Sequence, residues 1–179
     1  GQSWQASVEL ARERGVFPNF HLARFAESGP KLRNATVTTI APTGTLSIIA
    51  GCSSGIEPLF AIVFTRRILD GQELLEVHPL FERVAREQGF YSRQLMEEIS
   101  QHKSLADTDR VPPEVRRLFV TAYDISPEWH IRMQAEFQRH TDNAVSKTVN
   151  FRNEASQEDI RRVYLLAYEL GCKGVTVYR

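Results

Sequence analysis

The chain has 179 residues, 42% of them hydrophobic, which is enough for one domain with a core and too few for two large ones. Lysine plus arginine balance aspartate plus glutamate, 22 against 22, which argues against a dedicated nucleic-acid or anionic-membrane surface, since both need surplus cations. No apolar run nears the roughly 20 residues that span a bilayer, and residues 1–15 carry Glu and Arg rather than a signal-peptide pattern, so a cytoplasmic location is expected.

Residues 3–15 place Trp4, Val8, Leu10 and Ala11 among polar residues and predict a helix, with Ser3 as its cap and Gly15 as its stop. Residues 18–30 are irregular and end in the turn signal Ser28-Gly29-Pro30. The β-branched run 35-ATVTTI-40 predicts a strand that Pro42 ends, because proline has no ladder donor. Thr43-Gly44-Thr45 is then a tight loop, and 45-TLSIIA-50 reads equally as a short helix or an extended run. A second strand is expected at 61-AIVFTRRIL-69, followed by a turn at Asp70-Gly71.

The middle of the chain reads as helical. Residues 78–89 put Leu80, Phe81, Val84 and Ala85 on one face, with Gly89 as the stop. A short helix follows at 92–100, a polar connector at 101–111, and a third helix from Pro112-Pro113-Glu114 to Phe119. Ser126-Pro127-Glu128 opens a fourth, with Ser126 as cap and Ile131, Ala135 and Gln138 along one side. In 145-VSKTVNF-151, Val145, Val149 and Phe151 alternate with Ser146, Thr148 and Asn150, the pattern of a strand. Ser156 to Asp159 resembles a capping box, Ile160, Val163, Tyr164, Ala167 and Leu170 keep helical spacing, and Gly171 ends that helix. Residues 174-GVTVY-178 read as a closing strand. Strand, helix and strand in this order predict a right-handed unit with parallel strands, hence an α/β architecture whose strands have both faces covered.

The stretch from Asn34 to Thr65 contains no Lys, Arg or His, and Glu57 is its one charge. It is nevertheless dense in Ser, Thr and Gly. A strand ending in A-P-T-G-T at the foot of a helix suits a phosphate, because glycine lets the backbone approach and successive N–H groups form a concavity. Thr43, Thr45 and Ser47 could add hydroxyl donors. A hydrogen bond to a charged oxygen contributes about 1.5–3 kcal/mol, so a few neutral donors can hold a diphosphate without a cation. A tight turn before a helix explains the same tetrapeptide structurally. The loop matches neither G-x-x-x-x-G-K-[ST] nor G-x-G-x-x-G.

Other candidates are weaker. His21, His78, His102, His130 and His140 lack metal-ligand spacing. Cys52 and Cys172 form no CxxC and are expected to be buried free thiols. Glu57 is either a tuned acid or base, or a carboxylate tied to a cation or backbone amide. Arg66, Arg67, Arg161 and Arg162 read as solvated faces.

The long motif 34-NATVTTIAPTGTLSIIAGCSSGIEP-58 resembles the catalytic subunit of ribonucleotide reductases, and within them the adenosylcobalamin-dependent (class II) enzymes. The opening 8-VELARERGVFPNF-20 and the ending 142-DNAVSKTVNF-151 with 171-GCKGVTVYR-179 resemble the same family. The resemblance implies a fragment of a ten-stranded α/β barrel, with residues 1–179 as the C-terminal portion of the catalytic domain. It also implies that Pro42, Thr43, Gly44, Thr45 and the amide of Leu46 bind the substrate's phosphates. The activity implied is reduction of ribonucleotides, as diphosphates, to deoxyribonucleotides by a cobalamin-initiated thiyl radical. Its partners would be the nucleotide, the rest of the barrel and an external dithiol reductant. The family's N-x-C-x-E finger-loop motif does not occur here, so no catalytic residue is assigned and Cys52 and Cys172 are given no redox role. The chain by itself is therefore expected to be inactive, and its open strand edges invite pairing with another copy. A non-enzymatic phosphate-binding or interaction domain that retains the barrel segment is the alternative.

Overall fold

The computed structural model describes residues 1–67, 73–102, 104–106 and 108–179. Helix α1 spans Gln2–Arg14 and α2 Gly44–Ala50, followed by strands β1 (Val63–Arg67) and β2 (Glu73–Val77). Helices α3 (Pro79–Glu87), α4 (Arg93–His102), α5 (Pro113–Leu118) and α6 (Pro127–Gln138) come next. Strand β3 (Thr148–Asn150), helix α7 (Gln157–Glu169) and strand β4 (Thr176–Tyr178) close the chain. The expected turn at Asp70-Gly71 and the tail of the strand at 68–69 lie outside the described residues.

Two cores organise these elements. In the first, β1 and β2 form an antiparallel hairpin with Val63 opposite Val77. Helix α4 packs against it through Leu95, Met96 and Ile99. Phe81 of α3 sits fully buried between Phe119, whose ring centroid is 5.2 Å away, and Phe90 at 6.1 Å. The connector at 101–111, expected to be polar, contributes buried Ser104, Leu105, Thr108 and Val111. The Ser104 hydroxyl is satisfied: it donates to Asp124, which also accepts the Thr121 N–H at 2.7 Å. Leu80, expected inward, is half exposed, because Phe81 and Ala85 define the buried stripe of α3.

The second core joins α6 and α7 to the parallel pair β3–β4 through Ile131, Val149, Phe151, Val163 and Ala167. The Ser156–Asp159 capping box forms as expected: the Ser156 hydroxyl accepts the Asp159 N–H, and Asp159 accepts the Ser156 N–H. Gly171 takes φ 76°, the left-handed conformation that ends the helix. Gln134 of α6 is buried and donates to the carbonyls of Val145 (3.2 Å) and Gly174 (2.5 Å), fastening the helix to both extended segments.

Several expectations are corrected. Among the described residues the terminal pair of strands, β3 and β4, is parallel, whereas β1 and β2 are antiparallel, because a short connection can join antiparallel neighbours but not parallel ones. The ladders are short, three residues each in β3 and β4, and both outward residues of β4 are exposed, so its faces are not both covered. Residues 35–40 form no strand, and one bridge, Ile40 with Val145, is their ladder contact among the described residues. A carboxylate takes the place of strand pairing: Asp142 Oδ2 accepts the N–H groups of Val37 (2.8 Å) and Thr38 (3.1 Å), and the Asp142 N–H returns a bond to Thr38 Oγ1. Gly1, not Ser3, stands at the N-cap of α1, and Ser126 precedes α6 without a side-chain cap bond. Among the described residues no helix is long and apolar enough to cross a membrane.

Candidate functional site

The segment 41–47 resolves the ambiguity left at residues 45–50: α2 is helical, and it starts directly from the turn. Thr43 precedes it with φ 52°, the one described non-glycine residue with positive φ. A β-branched residue is costly in this region. The conformation is held by a bond to a distant strap: the Gly55 N–H donates to Thr43 Oγ1 at 3.0 Å. The Thr43 carbonyl accepts the Ser47 N–H at 2.9 Å, closing the first helical turn.

The N–H groups of Gly44, Thr45 and Leu46 have no partner within the described chain, as expected of the first turn of a helix. All three residues are exposed, and the Thr45 hydroxyl is equally unengaged. Pro42 lies beside them, exposed and without a donor of its own. Pro42, Thr43, Gly44, Thr45 and Leu46 are thus gathered on one surface with main-chain donors to spare. Ser47 does not join them, because its hydroxyl donates to the Gly44 carbonyl at 2.7 Å. The turn opens on the surface; a groove of about 860 Å³ lies elsewhere, between residues 123–128 and α7.

Behind the turn lies a charge network in which sequence reasoning singles out Glu57 but not its partners Lys147 and His130. Lys147 is 3% exposed. Its ammonium donates to Glu57 Oε2 (2.7 Å), His130 Nδ1 (2.7 Å) and the Thr148 carbonyl (2.5 Å), which uses all its N–H bonds. Glu57 Oε1 accepts the Thr148 N–H at 2.6 Å. Since an ammonium only donates, His130 Nδ1 is the acceptor and its Nε2–H donates to the Ala122 carbonyl at 3.0 Å. Burial pushes the His130 imidazole below its ordinary value of 6.5, so the ring is neutral at pH 7. Burial likewise lowers the Lys147 ammonium, against the opposing hydrogen bond and charge of Glu57. Of the two readings of Glu57, the carboxylate tied to a cation and a backbone amide is the one observed. A signal existed: Lys147 stands at the inward period between Val145 and Val149.

The remaining candidates are placed as follows. His130 is a core histidine, and among the described residues no group of His, Cys, Asp and Glu could hold a metal ion. Cys52 is exposed and Cys172 half-buried, not the buried pair expected. Both follow a left-handed glycine at a helix end, and their N–H groups bond back to Ser47 (3.1 Å) and Ala167 (2.9 Å). That turn carries the residue after the glycine off the helix and toward the surface. Arg66, Arg161 and Arg162 make exposed ion pairs with Glu76, Glu158 and Glu128; the side chain of Arg67 lies outside the described residues.

Residues 23–178 match the family model described as ribonucleotide reductase, barrel domain. A vitamin B12-dependent ribonucleoside-diphosphate reductase of Thermoplasma acidophilum is 54% identical over 99% of this chain and 23% of its own length. A protein of the same name from Mycobacterium tuberculosis is 55% identical over 97% of this chain and 25% of its own. The chain therefore spans about a quarter of the length of these curated relatives. Among solved structures, the alpha subunit of an Actinobacillus ureae class Id ribonucleotide reductase aligns with TM-score 0.71 and 25% identity, over 98% of this chain and 31% of that one.

Proposed function

The chain belongs to the ribonucleotide reductase family, within its barrel domain, and from that premise we propose that it supplies the substrate-phosphate turn of an enzyme that reduces ribonucleoside diphosphates to deoxyribonucleotides. The observation that carries the reading is the cluster of exposed, unpartnered N–H groups at Gly44, Thr45 and Leu46, inside the family's motif. The Thr45 hydroxyl and the free hydroxyl proton of Thr43 are placed to add donors, and Pro42 ends the extended segment so that the turn can form. Donors fixed by the fold stabilise an anion without reorganising, which is how an uncharged turn can replace a cationic one.

Residues 1–179 are then the C-terminal portion of a ten-stranded catalytic barrel that other segments of the protein complete. Cobalamin dependence is carried from the relatives' names, the reduction consumes two electrons, and an external dithiol is the donor that the family resemblance implies. Adenosylcobalamin would supply the radical. The fully buried imidazole of His130 has both nitrogens engaged, so it offers no ligand to that cofactor, and no residue of this chain is assigned to it. A cytoplasmic location accords with a nucleotide substrate. No observation favours a non-enzymatic phosphate-binding module.

Thr45→Val in the full-length enzyme tests the reading. It should weaken nucleoside diphosphate binding by about tenfold or more, the value of one hydrogen bond to a charged oxygen. Binding of the phosphate-free nucleoside should be unchanged. Equal diphosphate affinity in variant and parent would reduce the turn to a structural element.

A further inference from the structure

The extended segment 145–148 touches both ends of the loop that contains the turn. Upstream of the turn, Ile40 pairs with Val145, and the Ile40 carbonyl accepts the Ser146 N–H at 2.8 Å. Downstream, Glu57 is gripped by the Lys147 ammonium and the Thr148 N–H. Between these anchors the chain leaves the segment, makes the turn and α2, and returns. On the return, the strap passes close over the entry: the Gly55 N–H bonds Thr43 Oγ1, and at Gly55 a Cβ would lie 3.3 Å from the Ala41 carbonyl oxygen. Gly55 itself has φ 51°. No residue of α2 is buried. The core thus reaches the turn through its two anchors, and the downstream anchor is an ion pair with a buried lysine and a half-buried glutamate.

We propose that Lys147, through Glu57 and the Gly55 strap, is a positioning residue that sets the left-handed conformation of Thr43 and hence the aim of the turn's N–H groups; this rests on the phosphate-binding reading above. The chemistry suits the role. An ammonium with every donor used has one geometry, and losing it leaves the half-buried Glu57 carboxylate without its cation, so the pair specifies position more than it adds stability. The ion pair faces His130 from α6, which stays neutral and accepts, so no second cation competes for Glu57.

The experiment uses the full-length enzyme carrying Lys147→Met, Glu57→Gln or Gly55→Ala, with Thr45→Val as the reference. Affinity is measured for a nucleoside diphosphate and for the matching nucleoside. Lys147→Met and Gly55→Ala should each lower diphosphate affinity by about tenfold, the value of one misdirected charge-assisted bond, and leave nucleoside affinity unchanged. Glu57→Gln, which keeps an acceptor for the Thr148 N–H, should lose less. Combining Lys147→Met with Gly55→Ala should lose no more than either alone, because both act through one strap. Gly55→Ala acts on the strap and leaves both members of the ion pair in place, so this variant remains informative if Lys147→Met does not fold. Parental diphosphate affinity in Gly55→Ala, or an equal loss for nucleoside and diphosphate, would overturn the proposal. If Thr45→Val also binds as the parent does, the phosphate reading fails first; if Thr45→Val alone is weakened, only the positioning role fails.

Discussion

Lys147 and His130 show how burial converts ordinary side chains into a single protonation state. The folded His130 imidazole titrates below 6.5. Between 6.5 and that lower value the unfolded chain takes up a proton that the folded chain refuses, so stability falls as pH falls. Asp142 extends the loss further into acid. Burial alone would raise its carboxyl, but the N–H groups of Val37 and Thr38, the Thr38 hydroxyl and Lys173 hold it below 3.8. The folded form therefore loses their contribution below that value. Lys147 acts at the other end: its folded value lies below 10.5, so stability rises as pH climbs through that value. Urea unfolding should show a midpoint that declines from pH 7 to pH 5. In His130→Asn, which keeps an acceptor for Lys147 but cannot titrate, the decline should flatten; an unchanged slope would assign it to other groups.

At the scale of elements, short ladders leave most of the work to helices packed on small strand pairs. The first core is joined by rings: Phe81 of α3 meets Phe90 beyond its own helix and Phe119 at the end of α5. Truncating a fully buried phenylalanine costs about 3–5 kcal/mol, because the cavity closes only in part. Phe81→Ala should lower unfolding free energy by that amount in urea titration, and a loss below about 1 kcal/mol would mean that α3 is not anchored through this ring. The second core relies on α7, whose capping box satisfies the N–H groups of Ser156 and Asp159, and on Gln134 and Gln138, whose amides bond carbonyls of adjoining segments. Buried amides with such partners specify which segments lie side by side as well as holding them there.

The whole molecule carries apolar surface that its own elements do not cover. Leu46, Ile48 and Ile49 of α2 are 64%, 77% and 78% exposed, and Leu118, Trp129 and Tyr168 are exposed as well. Among the described residues no further strand pairs with β3 or β4. Scattered exposed apolar residues are ordinary, but a helix with no buried residue and consecutive exposed isoleucines is not. The 179-residue chain by itself should therefore self-associate. Sedimentation velocity at micromolar concentration should show species larger than monomer, reduced by Ile48→Lys with Ile49→Lys; a monomer before substitution would mean that this surface is inert.

Periodicity and turn chemistry settled much of the chain in advance. The helices α1, α3, α6 and α7, the Gly15, Gly89 and Gly171 stops and the Ser156 capping box depend on neighbours a few residues away, and local sequence encodes such contacts directly. The long glycine- and threonine-rich motif also carried the family resemblance, because it is a continuous run of sequence. What only the tertiary structure decided involves partners far apart in the chain. Asp142 replaced strand pairing for Val37 and Thr38 across about a hundred residues, and Lys147 found Glu57 across ninety. The antiparallel hairpin and the half-buried Cys172 depended in the same way on what packs beside them. The reason is physical: a lone lysine in an alternating strand reads as polar until a carboxylate and a neutral imidazole arrive from elsewhere to accept its protons, and nothing in its local sequence announces them.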